Sequence, residues 1–239
     1  MRSAMHFCLQ LVQAIAFAML ASVSVSAQLH SPQVTLHRAE KADDLSWFWT
    51  YASPLPGSNE NKLALDPRFR PFLKKYLTAP QSFWGEGTSL AETATEFLSG
   101  PPGVVIGNEN RYVSADACVQ HFCSDRGLLW ADLGLPKPLI VFAAIDWISE
   151  NKTVNQADAA YSMWVFSNRP LAPEHVPLAL RRSIARWTAP PSTGDEKREN
   201  ITRVFLVDPD GTPHTVSPSR IGAHTALPAE TNSETKGQP

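Results

Sequence analysis

Two cysteines at positions 118 and 123, in the stretch Cys-Val-Gln-His-Phe-Cys, constrain this chain more than any other feature. If they bond, the backbone between them must reverse within four residues, which pins a turn there and a strand on either side. Whether they bond depends on the compartment. Residues 1–27 read as an export leader: Arg2, an apolar run from Leu11 to Ala21, and the small-residue end Val25-Ser26-Ala27. The run is short of the roughly 20 apolar residues a membrane span needs. Cleavage after Ala27 removes Cys8 and leaves only Cys118 and Cys123 in a periplasmic or secreted protein, where such a pair is expected to be a disulfide.

Export also removes Arg2, leaving 20 Lys and Arg against 23 Asp and Glu, a net charge of about −3 with neutral histidines. Nucleic acid and anionic membrane surfaces are bound through concentrated positive charge, so neither is an expected partner. The remaining length suits one large domain. The expected division is a leader (1–27), an N-terminal arm and linker (28–60), a single α+β domain (61–217) and a disordered tail (218–239).

Within that division Asp43 to Tyr51 is dense in aromatics and reads as a core-facing element, while Pro54 to Asn61 reads as a linker. Asp66 and Pro67 open a helix whose apolar stripe is Phe69, Phe72, Leu73 and Tyr76. Ser89 with Glu92 forms a capping box for a second helix, with Leu90, Ala94, Phe97 and Leu98 on its buried face and Gly100 at its stop. The apolar period then changes to two. Strands are expected at 103–106, 111–114, 127–132, 139–147 and 160–167, then a helix from His175 to Trp187 and a last hairpin, 202–207 and 212–216, about Asp208-Pro209-Asp210-Gly211. The architecture predicted is an antiparallel sheet with helices packed on one face and a disulfide-closed loop at its edge.

Four readings of the loop compete. A zinc site needs three or four converging ligands, and no second Cys-x-x-Cys or His-x-x-x-His pattern supplies the remainder, so no metal or other cofactor is expected. Thiol redox sites present Cys-x-x-Cys at a helix start, not Cys-x-x-x-x-Cys between strands. Catalysis by His121 would require a nucleophile and an orienting acid, and neither Gly-x-Ser-x-Gly nor His-Glu-x-x-His occurs. The fourth reading is a disulfide that only closes a hairpin, worth roughly 2 kcal/mol for so short a loop. That leaves unexplained why His121 and Phe122 stand at the tip, where small polar residues would serve the turn better.

The stretch Tyr112-Val113-Ser114-Ala115-Asp116-Ala117, followed by Cys118, His121 and Cys123 and then Arg126-Gly127-Leu128-Leu129-Trp130, resembles the Ivy family of periplasmic inhibitors of vertebrate lysozyme. That family carries a Cys-Lys-Pro-His-Asp-Cys loop after a similar strand. Here Val119, Gln120 and Phe122 stand in place of its Lys, Pro and Asp, and the resemblance spans about residues 80–170. It implies a non-enzymatic α+β protein whose inhibitory loop, Cys118, Val119, Gln120, His121, Phe122 and Cys123, enters the cleft of a lysozyme or related muramidase. His121 would there lie between the two catalytic carboxylates, which favour its protonated, doubly donating form. The alternative is an envelope protein in which the loop is purely structural. A homo-oligomer is compatible with either.

Other groups carry less chemistry. His175 and His214 stand alone, Asp208 and Asp210 belong to the expected turn rather than to a calcium loop, and most of the seven tryptophans fall in apolar-periodic segments suited to a core.

Overall fold

Leu139–Trp147 opens on an unbroken apolar run, Leu139 to Ile145, long enough for a strand and too continuous for a sheet with one wet face. It forms β4, the middle of a seven-stranded sheet. The structure is a computed structural model, describing residues 43–52, 62–100, 103–148, 159–189 and 199–224. The leader, the arm up to Lys41, the linker from Pro54 and the tail beyond His224 lie outside the described residues.

The strands are β1 (Val105–Asn108), β2 (Tyr112–Val119), β3 (Phe122–Asp132), β4, β5 (Ala160–Ser167), β6 (Asn200–Val207) and β7 (Pro213–Val216), and they lie in sequence order across the sheet. All neighbours are antiparallel except β5 and β6. That parallel pair departs from the all-antiparallel expectation because a helix, α3 (Leu178–Trp187), intervenes between the two strands and returns the chain to the end where β5 began.

Helices cover both faces, not one. Leu129 and Ala131 of β3 and Ile140, Phe142 and Ala144 of β4 pack with α1 (Phe69–Tyr76) and α2 (Leu90–Phe97). The alternate residues Leu128, Trp130, Val141, Ala143 and Ile145 pack with Leu180, Ile184 and Trp187 of α3 and with Ile221 of the short α4 (Pro218–Ile221). Because strand side chains alternate between faces, an uninterrupted apolar run needs cover on both. The α+β class and the disulfide stand; the one-faced packing does not.

Two boundaries also move. Trp47 and Phe48 of the Ser46–Thr50 turn are buried in the core with α1. Polar contacts tie the same segment down: Tyr51 donates its hydroxyl to Asp66 at 2.9 Å, and Lys75 and Tyr76 reach Asp43 at 2.7 and 2.6 Å. Residues 43–52 therefore belong to the domain rather than to a linker. At the other end Ile221 is fully buried, so the fold continues through α4 where a tail was expected.

One helix start shifts and the other follows its sequence signal: α1 begins at Phe69 behind Arg68, two residues past the expected Asp66-Pro67 start and without a side-chain cap. Asp66 accepts the backbone N–H of Arg68 at 2.8 Å, and its guanidinium at 2.9 and 2.6 Å, which holds the carboxyl far below the usual range. Ser89 and Glu92 make the reciprocal capping box of α2.

Candidate functional site

The loop grows out of a frayed hairpin. Down to Cys118, which faces Arg126, β2 and β3 keep one register; the next pair is Val119 with Phe122. Three residues of β3, Cys123 to Asp125, therefore have no partner on β2. Such a bulge bends its strand and re-aims the residues beyond it. Here it carries the Gln120-His121 turn, and the Cys118–Cys123 disulfide, with Cα atoms 4.8 Å apart, closes the bulged side. The loop stands at the end of the sheet rather than along an edge strand, because β1 pairs outside β2.

Its base is tight. The N–H of Gly100 donates to the carbonyl of Cys118 at 2.8 Å, and a Cβ at Gly100 would lie 2.5 Å from that oxygen. Only glycine allows the end of α2 to approach so closely. Cys118 and Val119 are buried, while Gln120, His121, Phe122 and Cys123 are exposed. His121 has φ of 65°, the left-handed region, where a non-glycine residue is uncommon. Among the described residues it makes no hydrogen bond or ion pair. Phe122 is 38% exposed, with its ring 6.5 Å from that of Trp147.

Beneath the tip are two carboxylates that the sequence reading passed over. Asp125, in the bulge, is 1% exposed, and its Oδ1 accepts the Trp147 backbone N–H at 3.1 Å. Burial pushes its carboxyl up to about 7; the amide bond opposes this and the charge of Asp146 reinforces it. Asp146, on the adjoining end of β4, is pushed up to about 6 by burial. A charged residue inside Leu-Ile-Val-Phe-Ala-Ala-Ile-Asp-Trp was the available signal, since an acid in a doubly buried strand requires an explanation. On the opposite face Arg126 pairs with Glu199, with Nη2 to Oε2 at 2.9 Å, and lies over the Trp187 ring.

No group of three or more His, Cys, Asp or Glu among the described residues is placed to hold a metal ion. His214 is remote from the loop: its Nε2 bonds Asp208 at 2.9 Å across the last hairpin turn, whose Gly211 takes φ of 90°. His175 ends a short 3-10 turn ahead of α3. Trp47, Trp130 and Trp187 are buried. Among the described residues no helix is long and apolar enough to cross a membrane.

Comparison of the chain with family models, with curated proteins and with solved structures finds no match.

Proposed function

We propose that this is an exported, non-enzymatic inhibitor that blocks a lysozyme-type glycan hydrolase by inserting the Cys118–Cys123 loop, with His121 foremost, into the active-site cleft. The observation that carries the reading is the tip itself. His121 is exposed and unengaged, and it occupies a left-handed position that glycine would fill at less cost. A disulfide and the Gly100 contact hold the base of the same loop, so little conformational entropy remains to be lost on docking. Glycosidase clefts present two carboxylates a few ångströms apart, a spacing an imidazolium can bridge through its two ring N–H groups. Phe122 adds an aromatic face beside it, of the kind that anchors interfaces.

The test is titration of the purified exported protein against a c-type lysozyme in a cell-wall lysis assay, with His121→Ala in parallel. Wild type inhibits stoichiometrically. The variant unfolds at the same urea concentration, within about 0.5 kcal/mol, but binds at least about 2 kcal/mol more weakly. A full-strength His121→Ala inhibitor would leave the loop a purely structural staple. Lysis by this protein with no lysozyme present would make it an enzyme.

A further inference from the structure

Away from the loop, the helix α3 and the β1–β2 hairpin enclose a cavity of about 220 Å³. Arg182, Ser183 and Arg186 line it from the helix; Asn108, Glu109 and Tyr112 line it from the hairpin. The arginines are four residues apart, so both guanidinium groups lie on one face and repel each other. Arg186 is half-buried, and its Nη2 donates to the neutral hydroxyl of Ser114 at 2.9 Å. No ion pair among the described residues engages Arg182 or Arg186. The charge of Asp116 acts on Arg186, but burial raises the Asp116 carboxyl and so weakens that balance. Glu109 is a carboxylate on the opposite wall.

We infer that this cavity is a binding site for a small oxyanion, a carboxylate or phosphate group held between Arg182 and Arg186. A guanidinium presents a fork of N–H donors matched to such groups. A bound anion would relieve both the mutual repulsion and the lost hydration of Arg186. The Tyr112 hydroxyl and the Asn108 amide supply neutral partners, and the volume admits a group of a few heavy atoms rather than a large ligand. Glu109 on the far wall weakens the pull of the two arginines on such a guest without cancelling it.

Calorimetric titration of the full chain with inorganic phosphate and with acetate, at constant ionic strength held with chloride, tests the site. One saturable equivalent is expected for at least one of the two, and the comparison tells a tetrahedral from a planar preference. Arg182 is exposed, so Arg182→Gln keeps the fold and weakens binding at least tenfold, whereas Arg181→Gln, on the same helix but outside the cavity, leaves it unchanged. Glu109→Gln tightens binding by several fold because a like charge is gone. Absence of saturable binding up to about 10 mM anion, or equal losses in Arg181→Gln and Arg182→Gln, overturns the site.

Discussion

Replacing Asp125 with asparagine should make the protein more stable above neutral pH while changing little in acid. The carboxyl has an ordinary value of 3.8 and is pushed to about 7 in the fold, chiefly by burial. The folded state therefore keeps its proton where the unfolded state has lost it. Stability from this group is complete below pH about 4, falls as pH rises toward about 7, and levels off beyond. A tenfold change in proton affinity between the unfolded and folded chain is worth about 1.36 kcal/mol, so the rise from 3.8 to about 7 sets a ceiling of about 4 kcal/mol. Relaxation of the bulge reduces the expected loss to about 2–4 kcal/mol. Asp146, pushed from 3.8 to about 6, adds a second fall between about pH 4 and 6. Asparagine keeps the acceptor for the Trp147 N–H and carries no charge. In urea, with a slope of about 2 kcal/mol per molar, the Asp125→Asn midpoint should match wild type near pH 4 and exceed it by about 1–2 M at pH 8. Asp66, whose carboxyl is held low by Arg68, destabilises both proteins as pH falls through its folded value, so it cancels in the difference. Two profiles that run parallel from pH 4 to 8, or a variant weaker than wild type at pH 8, would refute the buried carboxylate.

Further outcomes follow from the same geometry. Thiol labelling of exported protein should find no reactive cysteine before reduction and two after it, and the Cys118→Ser, Cys123→Ser double variant should lose roughly 2 kcal/mol. His121→Gly should stabilise the turn by up to about 1 kcal/mol while abolishing inhibition, a pairing that a merely structural histidine does not produce. Gly100→Ala should cost about 2 kcal/mol or more, read from the urea midpoint, because the added methyl would meet the Cys118 carbonyl. Phe142→Ala removes a fully buried ring at the centre of the sheet and should cost about 3–5 kcal/mol by the same measurement.

Local chemistry was enough to place most of the elements. Leu139–Trp147 and Ala160–Ser167 form strands with the ends their apolar runs suggest, and the Ser89 capping box opens its helix because two donors and two acceptors within four residues satisfy one another without outside help. The cysteine pair likewise bonds across a turn only a few residues long. What spans the fold was not readable in this way. The parallel pairing of β5 with β6 depends on where α3 lands, and the burial of Ile221 depends on a helix that a polar, proline-led stretch did not advertise. The three-residue slip between β2 and β3 places Asp125 under the loop, and no periodicity in Cys-Ser-Asp-Arg foretells it. Capping, alternation and short-loop closure are settled among residues a few positions apart. Face assignment, bulge placement and the environment of a buried acid are settled by which distant residues arrive at the same place, and packing makes that choice only when the whole sheet has formed.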